Sequence, residues 1–199
     1  MATAATLPRT GTVLADLLPA STAGRARVRD AALIVGGAAL TGLTAQITVP
    51  VPGSPVPVSG QTFAALLVGT ALGARRGFMA LALYAMAGVA GMPWFAEARS
   101  GAAFPSFGYV LGMLLAATVV GTLARRGADR SVLRTAGTMA LGSAIIYAVG
   151  VPYLALATHM SFGEAVAAGL TPFLIGDVLK AALAMGALPA AWKLLGRRG

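Results

Sequence analysis

The sequence predicts an all-α integral membrane protein, a bundle of six transmembrane helices with both termini in the cytoplasm. Two compositional features predict the membrane class: 57% of the 199 residues are hydrophobic, and only 11% are charged, whereas soluble domains carry about 25% charged residues. The mean hydropathy is +0.81, and long apolar runs recur along the chain. These features favour helices that cross a bilayer over a soluble core.

The positions of the basic residues predict the orientation. The chain has 15 Lys and Arg against six Asp and Glu, and the basic residues fall in short clusters between the apolar runs. With six spans and both termini inside, every basic residue except Arg99 and Lys180 lies on the cytoplasmic side, as the positive-inside rule requires. We therefore interpret the net charge of +9 as topological. It does not predict nucleic-acid binding, because no basic stripe is interleaved with aromatic residues.

The chain divides into a cytoplasmic N-terminal tail, residues 1–29, and a six-helix transmembrane domain, residues 30–199. The predicted spans are residues 31–49, 62–72, 78–90, 107–124, 135–157 and 171–195. The second and third are shorter than the ~20 residues of a full span, and we interpret them as a helical hairpin around Arg75 and Arg76. Pro152 is expected to bend the fifth span, and His159 lies in a short outer loop.

The first span is rich in small residues at four-residue spacing. Ala32 and Gly36 form one such pair, and Ala38 and Gly42 form another. Small residues at this period let a second helix approach closely in lipid. We expect these four residues to form a face for a partner subunit, or alternatively to contact a neighbouring helix of the same bundle.

The segment between the first two spans reads VPVPGSPVPVSGQT, residues 49–62. Its four prolines forbid a helix and favour a stiff, extended path. The segment carries no charge, so we expect it to lie against the bundle as a lid. Gln61 opens the next span and could present its amide to a ligand or cap that helix.

The outer loop at residues 91–109 combines aromatic residues with charge. Phe95 and Tyr109 are among its aromatic residues, and Arg99 is the only basic residue in any predicted outer loop. Aromatic rings beside one cation could bind an apolar ring with an anionic group, although aromatic belts are also common at membrane interfaces. For Trp94 both interpretations stay open.

Asp177 and Lys180 stand inside the otherwise apolar sixth span. At i and i+3 they share one helix face, so they can pair or grip one ligand together. A charge at bilayer depth costs roughly 2.5–3.5 kcal/mol even on lenient insertion scales, and such residues usually mark functional sites. A structural ion pair that holds two helices together is the alternative.

Several classes of chemistry lack their motifs in the sequence. It has no cysteine and one histidine, so it offers no thiolate chemistry or multi-histidine metal site, and we predict no metal and no cofactor. It has no GxxxxGK[ST] phosphate loop, no GxSxG elbow and no HExxH motif. We predict that the protein is not an enzyme. A lid, an aromatic loop and a charged pair instead predict an outward-facing pocket for a small molecule with polar N–H groups, a carboxylate and a hydrophobic body.

Five motifs in order resemble the BioY family, the biotin-specific S components of energy-coupling-factor (ECF) transporters. They are VPVPGSPVPVSGQT, then LGARRG at 72–77, GMPWFA at 91–96, FGYVLG at 107–112 and GDVLK at 176–180. The resemblance extends over residues 31–191. It implies a biotin pocket near the outer face of a plasma-membrane protein, and partners consisting of a transmembrane T component and two ABC ATPases. One departure is AFPSFGY, at 103–109, where many relatives have a glycine-rich run.

The resemblance also implies roles for individual residues. Asp177 matches the family's acidic residue and is expected to accept a ureido N–H of biotin, while Lys180 or Arg99 meets the carboxylate or the ureido oxygen. The complete predicted substrate-binding set is Asp177, Lys180, Arg99, Gln61, Tyr84, Phe95 and Tyr109. The resemblance places the surface for the T component on the first helix, around Ala32, Gly36 and Gly42.

Three other functions stay open at this point. A stand-alone transporter would couple vitamin uptake to protons through Asp177. An S component with the same architecture could take another vitamin. A scaffold subunit would bind no vitamin and would act through its small-residue first helix.

Overall fold

The computed structural model describes residues 11–195, which are mostly helical and contain one small β-ribbon. Seven α-helices occur within this range: α1 (Ala23–Ala45), α2 (Gln61–Leu72), α3 (Ala74–Val89), α4 (Phe107–Arg125), α5 (Val132–Thr158), α6 (Phe162–Gly169) and α7 (Leu174–Leu195). The two strands are β1 (Thr48–Val49) and β2 (Val58–Ser59). The prediction of a helical protein is therefore confirmed.

Four helical stretches are long and apolar enough to cross a membrane. They are Ala23–Ala45, Phe107–Arg125, Val132–Thr158 and Phe162–Leu195, the last of which joins α6 and α7. The remaining helices, α2 and α3, have 12 and 16 residues. These helices support a multi-pass membrane protein, while the count of six spans and the placement of both termini in the cytoplasm stay predictions.

The α2–α3 hairpin forms as the sequence predicts. A single residue, Gly73, connects the two helices with φ = 82°, a conformation that only glycine adopts without strain. Gly121 of α4 packs directly on this turn, since a Cβ added there would lie 2.6 Å from the Gly73 carbonyl carbon and 2.7 Å from the Gly69 carbonyl oxygen. Close backbone contact of this kind requires small residues.

The proline-rich segment is a short hairpin. Thr48 pairs with Ser59 and Val49 with Val58 in antiparallel register, and the prolines occupy the connection, where no ladder hydrogen bond is needed. The predicted absence of helix is confirmed. The ribbon lies close to the start of α7, because a Cβ added to Gly176 would lie 3.6 Å from Cγ1 of Val58.

Helix α1 begins earlier than predicted. It starts at Ala23, where the Thr22 side chain accepts a hydrogen bond from the Arg25 N–H, and it ends at Ala45, before the predicted end at residue 49. The sequence prediction missed this start because Arg25, Arg27 and Arg29 look like a flanking cluster. Arginine is nevertheless a good helix former, and the capping threonine stands before it.

Part of the predicted N-terminal tail packs on the bundle. Leu14–Leu17 forms a 3₁₀ turn, and Val13 is fully buried. Asp16 accepts a 2.7 Å hydrogen bond from Arg76 Nη1. Burial raises the pKa of Asp16, but hydrogen bonds from Arg76 and the Val13 N–H, with the positive charges of Arg76 and Arg125, outweigh it and hold that pKa below its ordinary value. Residues 1–10 lie outside the described part of the chain.

The loop predicted before the last span is shorter than expected, because only residues 159–161, which include His159, are non-helical before the next helix. Residues 162–169 form α6, whose capping Ser161 accepts a hydrogen bond from the Glu164 N–H. The capping box S-x-x-E is readable in the sequence, but it precedes only two turns of helix. The 3₁₀ turn Thr171–Phe173 then leads into α7.

The second half of α7 is fixed at the end of the bundle that carries the Gly73 turn, which we call the basic end. Trp192 Nε1 donates a 2.7 Å hydrogen bond to Asp129 Oδ2 in the α4–α5 connection, and the Arg130 guanidinium lies 4.6 Å from the centroid of the Trp192 ring. Asp129 is fully buried. Burial raises its pKa, and the Trp192 hydrogen bond offsets only part of this shift.

Candidate substrate-binding site

The candidate site is centred on the charged pair of α7. Lys180 Nζ lies 3.4 Å from Asp177 Oδ1, and the two side chains are only 18% and 16% exposed. Both residues are one turn apart on the same helix, as their spacing predicts. The prediction that they share one face is therefore confirmed.

Two further side chains hold this pair to the rest of the bundle. The Tyr147 hydroxyl, on α5, donates a hydrogen bond to Asp177 Oδ2. Lys180 Nζ donates a 2.8 Å hydrogen bond to Thr62 Oγ1, at the start of α2. The lysine is therefore closer to the threonine than to its own counter-ion, and the pair is held partly open.

A cavity of about 780 Å³ lies beside Asp177, between α5, α6 and α7. Its lining is apolar apart from Ser143, Tyr147 and Asp177. Small-molecule pockets typically have about 300–1,000 Å³ and a few polar groups in an apolar wall. This cavity has both properties.

The two charges face different spaces. Asp177 lines both the large cavity and a cleft of about 10 Å³, whereas Lys180 lines only the cleft, beside Thr62 and Phe63. A ligand in the large cavity would therefore meet a carboxylate and two hydroxyl groups. These acceptors suit a ligand with N–H donors. Lys180 could reach a ligand in the large cavity only if its hydrogen bond to Thr62 broke.

Comparison with known proteins identifies the family of this chain. A sequence model of the BioY family matches residues 18–197. The chain belongs to the BioY family. A probable biotin transporter BioY from Pyrococcus horikoshii is 32% identical over 162 residues, which cover 80% of this chain and 93% of the relative. The biotin transporter BioY of Thermotoga maritima is 35% identical over 139 residues, 68% of this chain and 80% of the relative.

One solved structure has the same fold. It is a crystal structure of the S-component for biotin from an ECF-type ABC transporter, with a TM-score of 0.74 and 19% sequence identity, covering 90% of this chain and 94% of that one. The resemblance to the BioY family is thereby confirmed, and this fold is shared along nearly the whole chain.

In this BioY-family chain, three predicted site residues, Gln61, Tyr84 and Phe95, form a separate buried cluster. The Tyr84 hydroxyl donates a 2.7 Å hydrogen bond to Gln61 Oε1, and the Tyr84 and Phe95 rings meet edge to face with centroids 5.2 Å apart. All three residues are buried. None of them lines the large cavity. Gln61 is the residue directly before Thr62, which accepts the hydrogen bond from Lys180, so the cluster is linked in sequence to a partner of the charged pair.

The remaining two predicted site residues make contacts with the protein itself. Arg99 Nη2 lies 2.8 Å from Glu97 Oε2, and its side chain is 38% exposed. The Tyr109 hydroxyl donates a 2.8 Å hydrogen bond to the Gly169 carbonyl, and its ring lies edge to face with Tyr147. Neither residue lines the large cavity. Their contact with a ligand stays a prediction.

The four small residues predicted as a partner surface face in two directions. Ala32 and Gly36 are exposed, whereas Ala38 is buried. Gly42 packs against the ring of Trp94, where an added Cβ would lie 2.8 Å from a ring carbon. Because Ala38 follows Gly36 by two residues, about 200° around a helix with 3.6 residues per turn, the first pair faces outward and the second packs within the chain.

Sequence reasoning missed Tyr147 and Thr62 as members of the site. Thr62 could have been identified from the sequence, because it ends the proline-rich motif directly after Gln61. Tyr147 gave a weaker signal, a single hydroxyl among small and apolar residues of α5. The partners of a charged pair on other helices depend on helix packing, which local periodicity does not fix.

Proposed function

We propose that this protein captures biotin in the membrane as the substrate-binding subunit of an ECF transporter. The observation that carries the proposal is the Asp177–Lys180 pair, in which the carboxylate of Asp177 borders an apolar cavity of about 780 Å³. Membership of the BioY family and relatives named as biotin transporters support the choice of ligand. Transport by these relatives also agrees with the prediction that the chain is not an enzyme.

The chemistry of biotin matches the polar groups of the site. Its ureido ring offers two N–H donors, which suit the carboxylate of Asp177. Its ring system and aliphatic chain are apolar and suit the cavity wall. Lys180, or Arg99 from the loop after α3, would meet the carboxylate or the ureido oxygen, and Gln61, Tyr84, Phe95 and Tyr109 would complete the pocket when it closes.

Biotin retention by the purified chain in detergent tests the ligand. We expect tight binding of biotin and none of thiamine or riboflavin. Asp177→Asn and Lys180→Ala should each lower the affinity at least about 100-fold, because each leaves a buried partner without its counter-charge. Asp30→Asn, at the basic end, is the matched control. Unchanged affinity in both site variants would refute the site assignment, and preference for another vitamin would refute the ligand.

The proposed partners are a transmembrane T component and two ABC ATPases in the plasma membrane. The sequence has no GxxxxGK[ST] motif, so in this proposal ATP hydrolysis by the partner subunits supplies the energy for transport. The exposed Ala32 and Gly36 of α1, with the neighbouring exposed Val35, offer a helix surface on which such a component could pack closely.

Uptake by whole cells distinguishes this proposal from a stand-alone, proton-coupled transporter. We expect biotin uptake to need the energising subunits and to stop when ATP is depleted. Ala32→Leu combined with Gly36→Leu should block uptake while the purified chain still binds biotin. Uptake that survives ATP depletion but collapses with the proton gradient would instead favour the stand-alone transporter.

A further inference from the structure

Helix α7 is packed more loosely along its first half than along its second half. Every buried residue of α7 lies in its second half, from Ala184 to Trp192. In the first half, residues 174–183, the large apolar side chains are mostly exposed. They are Leu174, Ile175, Val178, Leu179 and Leu183, with exposed fractions of 48–77%. Leu174 and Val178 line the large cavity. In a membrane the others face lipid, which gives no hydrophobic preference for the bundle.

The large cavity lies behind this weakly packed half. Residues 174–181 of α7 and residues 139–152 of α5 contribute to its lining. The second half is fixed by the contacts of Trp192 with Asp129 and Arg130. The first half follows the buried Phe173, and polar contacts are its further attachment along the helix.

Two hydrogen bonds supply this attachment. Among the side-chain hydrogen bonds of residues 11–195, Tyr147 to Asp177 and Lys180 to Thr62 join the first half of α7 to other helices. Both bonds end on the charged pair. In an environment without competing water, hydrogen bonds to charged groups are stronger than neutral ones.

We propose that Tyr147 and Thr62 are positioning residues, which hold the first half of α7, set Asp177 at the wall of the large cavity and keep Lys180 beside it in the adjoining cleft. The inference rests on the proposed function, in which the charged pair meets the ligand. Tyr147 orients the carboxylate and leaves Oδ1 toward Lys180. Thr62 draws the ammonium away from Asp177, so the pair stays open to an inserted N–H group.

Distances between spin labels test positioning without any ligand. Because the chain has no cysteine, Leu43→Cys and Leu179→Cys place labels on exposed positions of α1 and the first half of α7. Arg75→Cys and Lys193→Cys form the reference pair at the basic end, and both positions are exposed. We expect Tyr147→Phe and Thr62→Val to shift or broaden the Leu43–Leu179 distance and to leave the reference distance unchanged.

Conservative variants separate the hydroxyl groups from side-chain shape. Thr62→Ser should keep the wild-type distance, because it keeps the acceptor for Lys180. Tyr153→Phe, which removes a 3.1 Å hydrogen bond to the Ala102 carbonyl farther along α5, should also keep it. Tyr147→Phe and Thr62→Val should each weaken biotin binding about tenfold or more, as expected for losing a hydrogen bond to a charged group.

The outcomes separate the two proposals. If the Leu43–Leu179 distance is unchanged in both Tyr147→Phe and Thr62→Val, the proposal that these residues position α7 is refuted. If biotin binding is weaker while that distance is unchanged, the two residues contact the ligand directly. If the wild-type chain binds no biotin, the proposed function fails. The distance measurement on the ligand-free protein still decides whether Tyr147 and Thr62 position α7.

Discussion

The charged pair of α7 allows a double-mutant prediction in the ligand-free protein. The perturbations are Asp177→Asn, Lys180→Met and their combination, each of which nearly keeps side-chain size. At the observed 3.4 Å separation, the attraction between two unit charges is about 5 kcal/mol at an effective dielectric constant of about 20. Desolvation opposes most of this attraction, so we expect a net coupling free energy of about 1–3 kcal/mol.

The two single variants should differ in their cost. After Asp177→Asn, the Lys180 ammonium remains in a cleft of about 10 Å³, which is at the lower limit of the space one water needs. We expect a loss of about 3 kcal/mol in unfolding free energy. After Lys180→Met, Asp177 keeps the Tyr147 hydrogen bond and borders the large cavity. Its carboxylate can therefore be hydrated, and the expected loss is about 1–2 kcal/mol.

Thermal unfolding in detergent at neutral pH measures these differences. For a chain of this size, 1 kcal/mol corresponds to roughly 2–4 °C in Tm. We expect Asp177→Asn to lower Tm by about 6–12 °C, Lys180→Met by about 2–8 °C, and the double variant by less than the sum. Additive effects would show that the two charges do not interact. A larger loss for Lys180→Met would refute the hydration argument.

Two further predictions concern carboxylates at the basic end. Asp16→Asn should lower Tm at pH 7, and the difference from wild type should vanish below the ordinary carboxyl value of 3.8, because a lowered folded-state pKa stabilises only above that range. Asp129→Asn should act in the opposite sense. Burial raises the pKa of Asp129 above its ordinary value of 3.8, so wild-type stability falls as the pH rises above that value, and the variant should gain stability relative to wild type over the same rise. Parallel Tm–pH curves for wild type and either variant would contradict the corresponding prediction.

The parts of the fold that the sequence predicted depend on local signals. The hairpin of α2 and α3 follows from the paired arginines Arg75 and Arg76, although its turn is at Gly73 and the arginines begin α3. The non-helical segment follows from the prolines at 50, 52, 55 and 57. The start of α1 and the existence of α6 were missed because both depend on caps, at Thr22 and Ser161. The predicted spans were read from the lengths of apolar runs, and these lengths do not reveal where capping residues start a helix.

The sequence predicted which site residues share one face of α7, but it did not predict which residues of other helices contact them. The spacing of Asp177 and Lys180 fixed their common face, because helix geometry is local. Their partners Tyr147 and Thr62 lie 30 and 118 residues away in the chain. The packing of α5 and α2 around α7 brings them together. Arg99 instead pairs with Glu97, two residues before it, and does not line the large cavity.

The geometry also bears on the alternative that the charged pair is purely structural. An ion pair that holds two helices together needs its members on different helices, but Asp177 and Lys180 both belong to α7. Neutral hydroxyl groups, those of Tyr147 and Thr62, make the connections to α5 and α2. Polar but uncharged side chains on α7 could make the same connections without the cost of two charges in the membrane. Structural support alone therefore does not require two charges, whereas the proposed ligand, with N–H donors and a carboxylate, would use both an acceptor and a cation.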